Sequence, residues 1–176
     1  RRGSSGVDGG VRLWEPDTGR LVAALRGHEG PITDIAFSRD GTVLASAGAD
    51  GTIRLWRADT GAMLALMEGH EGPVTDIAFS PPDGEILASA GADGSIRLWD
   101  GLTGELLVAF GGHAGPINRL AYSPTGGMIG SASDDGTVRL WNAATGEFVA
   151  ALQRHNGPVR LVAFSPDDNR LVTAGA

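Results

Sequence analysis

The chain has 176 residues, of which 41% are hydrophobic and 20% charged, enough apolar material for a packed core. Its 14 basic residues, all arginine, face 21 acidic ones, and the net charge of -7 opposes nucleic-acid binding, which draws on clustered positive charge releasing counterions. There is no cysteine, which excludes disulfides, thiolate chemistry and cysteine-type zinc sites.

The first residues, Arg1-Arg2-Gly3-Ser4-Ser5-Gly6, lack the apolar core of a signal peptide, and no run approaches the roughly 18 apolar residues of a membrane span. The expectation is a soluble, cytoplasmic protein without a membrane or nucleic-acid partner. Arginine without lysine, together with abundant Ala and Gly, reads as a GC-rich bacterial coding bias or as design.

In chain order, Val11 to Trp14 and Leu21 to Leu25 are the first short aliphatic runs. After His28 and Glu29-Gly30-Pro31 come Ile32 to Phe37, a turn at Ser38-Arg39-Asp40-Gly41, and Val43 to Ala47. An Asp50-Gly51 turn leads to Thr52 to Trp56, then Asp59-Thr60-Gly61 and Met63 to Met67. Such runs, bounded by Asp, Gly, Pro and Ser, predict a four-stranded meander. Ile32 is out of phase with Ile35 and Phe37, which predicts a bulge near Thr33.

The pairs Asp8-Gly9, Asp50-Gly51, Asp93-Gly94 and Asp135-Gly136 suit two-residue hairpin turns. Ile53 and Leu55 point to one side of their strand and Arg54 and Trp56 to the other, so each sheet is expected between two neighbours.

The meander recurs. Trp14, Trp56, Trp99 and Trp141 lie 42, 43 and 42 residues apart, and His28, His70, His113 and His155 repeat those spacings. A period in the low forties is the mark of a blade-by-blade β architecture. The single longer spacing comes from Pro81-Pro82 in a turn, which leaves strand register alone and carries no assigned function. The units run approximately over 1-27 (partial), 28-69, 70-112, 113-154 and 155-176 (partial), within one domain of 1-176.

Gly27-His28, Ser38 to Gly41, Leu44-Ala45-Ser46, Asp50-Gly51 and Arg54-Leu55-Trp56, with their copies, resemble the WD-repeat β-propeller family. The literal Trp-Asp pair occurs once, at Trp99-Asp100; the other copies read Trp14-Glu15, Trp56-Arg57 and Trp141-Asn142. The resemblance implies an all-β propeller of four-stranded antiparallel blades, with three complete blades and one split between the termini. The C-terminal half, Val159 to Ala174, would then pair with Val11 to Trp14.

Ser4-Ser5-Gly6-Val7 and Thr173-Ala174-Gly175-Ala176 both align with Ser46-Ala47-Gly48-Ala49, so one copy is redundant if the two halves complete one blade. That redundancy suggests a piece of a longer array or an engineered repeat. A ring of four blades turns about 90° per blade and one of eight about 45°. Seven is usual in the family resembled, so two chains in one eight-bladed ring are favoured over a four-bladed monomer.

Ser46, His28 and Asp50 invite comparison with a hydrolase triad. A triad, however, is built once, in a cleft. Here the set recurs as Ser89, His70 and Asp93, and as Ser131, His113 and Asp135. The resemblance implies buried tetrads that also include Trp56, Trp99 and Trp141, with a fourth set of His155, Thr173, Asp8 and Trp14. Arg12, Arg54, Arg97 and Arg139, two residues before each Trp, are expected to cover apolar surface with their stems. The histidines occupy one position in different units, which argues against a metal site.

The family's partner-facing rim carries over to Pro31, Thr33 and Ala49; Pro73, Thr75 and Ala92; Pro116, Asn118 and Asp134; and Pro158, Arg160 and Val7. Only Asn118, Asp134 and Arg160 bring polar variety, so they are the candidate partner-binding residues. The functional expectation is a non-catalytic scaffold for a protein or peptide, without cofactor, assembling as a homo-oligomer, a dimer being favoured. Two rivals are an assembly module with no ligand beyond itself and an enzyme with a site in the central channel. The last needs an unrepeated acid, base or metal cluster on the inner loops, and none is evident.

Overall fold

The computed structural model describes the backbone of residues 2–5 and all of 9–175; Val7 and Asp8 lie outside the described residues. Seventeen strands are described and no helix. β1 (Arg2–Ser5), β2 (Val11–Trp14) and β3 (Leu21–Leu25) form a three-stranded sheet. Three four-stranded meanders follow. The first contains β4 (Ile32–Phe37), β5 (Val43–Gly48), β6 (Ile53–Arg57) and β7 (Met63–Met67). The second contains β8 (Val74–Phe79), β9 (Ile86–Gly91), β10 (Ser95–Asp100) and β11 (Leu106–Gly111). The third contains β12 (Ile117–Tyr122), β13 (Met128–Ser133), β14 (Val138–Asn142) and β15 (Phe148–Leu152). β16 (Val159–Phe164) and β17 (Leu171–Gly175) end the chain as a hairpin.

The fold is therefore all-β, built of blades of the expected kind, and the sheets do not close into a ring within this chain. β17 pairs with β16 alone among the described strands, whereas β2 lies between β1 and β3. The edge of β2 that Val159 to Ala174 was expected to meet is thus occupied by β1, in the register Arg2↔Trp14 and Ser4↔Arg12. That register matches Leu44↔Trp56 and Ser46↔Arg54 in the first complete sheet. The end segments are alternative copies of one strand, and the three-stranded sheet and the C-terminal hairpin stand as two separate sheets.

The bulge expected near Thr33 is present, since the register steps from Ile32↔Gly48 to Asp34↔Ala47. The Asp-Gly turns differ from expectation. Gly51 N–H donates to Gly48 O at 3.2 Å, closing a three-residue turn through Ala49, Asp50 and Gly51. Only the glycine takes positive φ, at 81°, 74° and 84° for Gly51, Gly94 and Gly136. Asp50 stays in ordinary backbone space, where its carboxylate accepts the Thr52 N–H two residues on, at 3.1 Å.

The core lies between sheets rather than inside any one of them. Leu55, Ile53 and Met67 of the first complete sheet pack with Val74, Ile77 and Trp99 of the second. Ile96 and Leu98, on the other face of the second, pack with Ile117, Leu120 and Trp141 of the third. Alternation along each third strand thus serves two neighbours, as expected for a sheet held on both faces. β5 is buried over all six residues, and it is made of small ones, Val43-Leu44-Ala45-Ser46-Ala47-Gly48. At the C-terminal hairpin, Leu161 and Val172 are 57% and 66% exposed.

Candidate functional site

The histidine-bearing segment before each first strand reaches over its own sheet to the turn between the second and third strands. His28 Nδ1 meets Asp50 Oδ2 at 3.0 Å, and Nε2 meets Ser46 Oγ at 2.9 Å. Trp56 Nε1–H donates to the same Ser46 Oγ at 2.9 Å. In the second sheet the corresponding distances are 3.1 Å for His70–Asp93, 2.8 Å for His70–Ser89 and 2.9 Å for Trp99–Ser89. In the third, His113–Asp135, His113–Ser131 and Trp141–Ser131 measure 2.9, 2.8 and 2.8 Å.

Proton directions follow from the inventory of donors. Indole N–H only donates, so serine accepts it and turns its own hydrogen to His Nε2; Nδ1–H then donates to the carboxylate. Every polar group in the chain of bonds is satisfied, which burial requires. Burial holds the imidazoles of His70 and His113 below their usual pKa, against the pull of Asp93 and Asp135.

The aspartates are held by more than histidine. Asp50 accepts N–H groups from Glu29 and Thr52 and the Thr52 hydroxyl, the latter at 2.9 Å. Burial alone would raise its pKa, yet these bonds outweigh burial and hold it at about 2. Asp93 and Asp135 are likewise held well below the carboxylate range, with Ser95 and Thr137 in the place of Thr52. Thr52, Ser95 and Thr137 were missed in the sequence, although each stands two residues after a tetrad Asp, a position that caps its own turn.

In the fourth set, His155 Nε2 and Thr173 Oγ1 meet at 2.8 Å. Trp14 lies in a different sheet from Thr173, and Asp8 lies outside the described residues.

The arginines before each Trp diverge. Arg54 Nη2–H donates to Gly27 O at 2.8 Å, Arg97 pairs with Asp93 at 3.2 Å, and the Arg139 guanidinium lies 5.7 Å from the Phe148 ring centre. Their guanidinium ends lie against Gly27, Gly69 and Gly112, whose φ values are 152°, 149° and 154°. A Cβ on any of the three would lie within 3.2 Å of a guanidinium nitrogen. The fourth unit has Arg154 at this position.

Asn118, Asp134 and Arg160 come together. Asn118 Nδ2–H donates to Asp134 Oδ1 at 2.7 Å and to Val159 O at 2.8 Å, while Arg160 Nη1 reaches Asn118 Oδ1 at 2.9 Å and Asp134 Oδ1 at 2.8 Å. The trio ties the third meander to the C-terminal hairpin at the surface, with Arg160 and Asp134 side chains 51% and 35% exposed. Elsewhere a groove of about 400 Å³ is lined by Gly41, Thr42, Val43, Arg57, Asp59, Leu64 and Leu102, with no tetrad residue among them.

The inner strands also hold an unrepeated ionisable cluster. Asp34, Asp76 and Arg119 occupy one equivalent position on β4, β8 and β12, where the fourth unit has Leu161. The expectation of no such cluster concerned the inner loops and overlooked the strands. The substitution of Asp, Asp, Arg and Leu at one register position was the available signal.

The family described as "WD domain, G-beta repeat" matches residues 19–57, 61–100, 104–142 and 146–176. A stretch of 36 residues is 47% identical to "Periodic tryptophan protein 2" of Saccharomyces cerevisiae, covering 20% of this chain and 4% of that protein. Over 40 residues the chain is 45% identical to "Angio-associated migratory cell protein" of Homo sapiens, covering 23% and 9% respectively. Over 36 residues it is 42% identical to "Periodic tryptophan protein 2 homolog" of Schizosaccharomyces pombe, covering 20% and 4%. Each match spans less than a tenth of the relative's own length. With matches that run through most of its length and fall on the same repeated strands, the chain belongs to the WD-repeat family.

Proposed function

We propose that the chain is a non-catalytic scaffold that binds a protein or peptide, and that its repeated Ser-His-Asp-Trp sets are structural ties. The observation that carries the reading is their burial: the His28, His70 and His113 side chains are 1%, 1% and 0% exposed, and Ser46, Ser89 and Ser131 are fully buried. A nucleophile and base in that setting have no cleft from which to meet a substrate. The test is Ser46→Ala or His28→Ala, assayed for melting temperature and for hydrolysis of an activated ester. A lowered melting temperature with no change in hydrolysis is expected; lost hydrolysis at an unchanged melting temperature overturns the reading.

The partner-facing rim of this proposal is Asn118, Asp134 and Arg160. One cation, one carboxylate and one amide converge there while half exposed, an arrangement that sets register and encounter more than raw affinity. The triple variant Asn118→Thr, Asp134→Ala, Arg160→Thr is expected to cost about 1 to 2 kcal/mol, mostly from the part-buried Asn118 bond to Val159 O, and to leave the chain folded. Against a peptide selected by display on the unmodified chain, it should weaken binding measurably in calorimetry. An unchanged dissociation constant moves recognition to another face.

The finer proposal is that two copies close one eight-bladed ring through the split blade. It asks β17 to replace β1 on β2, and it brings Arg154 toward Arg12 where the complete sheets have glycine against arginine. Like charges at that seam are screened by salt. Sedimentation equilibrium should then show twice the chain mass of 18.1 kDa, with association strengthening as salt is raised. A monomer at every concentration and salt removes the two-chain ring.

A further inference from the structure

The first strands of successive sheets lie side by side, β4 on β8 and β8 on β12, which brings Asp34, Asp76 and Arg119 into one row. The Asp76 side chain is 3% exposed. It accepts Leu120 N–H at 2.6 Å and pairs with Arg119 Nη1 at 3.1 Å, the arginine being 52% exposed. Asp34, on the adjoining β4, accepts the N–H of Ile77, the residue next to Asp76, at 3.1 Å, which places the two carboxyl groups side by side across the seam.

β4, β5, β9 and β12 adjoin β8, and β6, β7 and β10 meet its core face through the apolar Ile53, Leu55, Met67 and Trp99. β5 and β9 hold no titratable residue, and β12 adds only Tyr122 at its far end. Arg119, itself half in water, pairs with Asp76 alone, so the row has two carboxyl groups and one cation. Fully ionised, the row carries one negative charge in excess beside the buried Asp76, and neighbouring like charges favour retention of one proton.

We propose that Asp34 and Asp76 form a proton-operated clasp between the first two complete sheets: one shared proton holds β4 to β8, and its loss loosens that seam. Burial acts first and raises the Asp76 pKa to about 7, against the Leu120 amide and Arg119 and with the help of Asp34. Because this value exceeds the unfolded carboxyl value of about 4, the clasp is complete below about pH 4 and is lost as pH rises through about 7.

The experiment is carboxyl carbon NMR of Asp76, combined with hydrogen exchange at the Ile77 amide, which donates across the seam. The Leu98 amide, inside β10, is the control. Asp76 should titrate near neutrality, and protection at Ile77 should fall about tenfold relative to Leu98 between about pH 6 and 8. Asp34→Asn should move the Asp76 midpoint down by more than about one unit and abolish that fall. Arg119→Gln should move the midpoint up, and being half exposed it decides the matter should Asp34→Asn fail to fold. Titration of Asp76 near 4, Ile77 protection that tracks Leu98, or a midpoint unmoved by the variant that folds overturns the clasp.

Discussion

Replacing Trp99 with alanine is expected to destabilise the chain by about 3 to 5 kcal/mol, measured by chemical denaturation. The indole is 2% exposed and fills the space between the first and second complete sheets, against Leu55, Met67 and Val74. Its removal leaves a cavity that neither sheet can collapse into, since each is also fixed to a neighbour on its other face. Trp99→Phe separates packing from hydrogen bonding. It keeps most of the ring volume but strips Ser89 of its 2.9 Å donor, for an expected loss near 1 kcal/mol. Equal losses in the two variants would place the energy in the hydrogen bond rather than in the packing.

Asp93→Ala is the second large effect, about 3 kcal/mol by the same measurement. The substitution leaves the Glu71 and Ser95 amides, the Ser95 hydroxyl, His70 Nδ1–H and Arg97 without their common acceptor. It also changes the acid limb of stability. A carboxylate with a depressed folded pKa contributes above its unfolded value of about 4 and loses that contribution as pH falls through the folded value. For Asp50 the window runs from about 4 down to about 2, and for Asp93 and Asp135 it extends lower. The unmodified chain should thus lose melting temperature steeply below about pH 4, and Asp93→Ala should show a shallower slope there. An identical slope would mean that Asp93 is not held ionised by its donors.

Strands, and the offsets that join His, Ser, Asp and Trp in the three complete sheets, were legible because they are local and periodic. Ile32, Ile35 and Phe37 betray their bulge by phase alone, and Ser46, Asp50 and Trp56 stand at fixed offsets from His28. The turn at Asp50 was misread because a dipeptide rule describes φ, whereas the structure uses the aspartate side chain as the acceptor that shapes the loop. Thr52, Ser95 and Thr137 escaped notice because a hydroxyl next to a turn looks like turn composition until its aspartate is seen to need donors. Asp34 and Asp76 were hidden for a different reason: they lie 42 residues apart, and nothing within one unit shows that neighbouring first strands touch. The segment of β1 was aligned with the second-strand copy at Ser46, but its pairing to Val11–Trp14 was not expected, because the C-terminal copy competes for the same edge.

The small buried residues of the second strands β5, β9 and β13 have a geometric consequence. Ala45, Ala88 and Gly130 occupy one equivalent position, and a Cβ added at Gly130 would come within 3.1 Å of Val162 in the next sheet. These side chains face the adjoining sheet at close range, so their volume bears on how near the two sheets can lie. Added volume there pushes the two sheets apart. The spacing of adjacent sheets is thus sensitive to a single methyl group on the second strand. The last unit carries Val172 at that position, the bulkiest residue of the four.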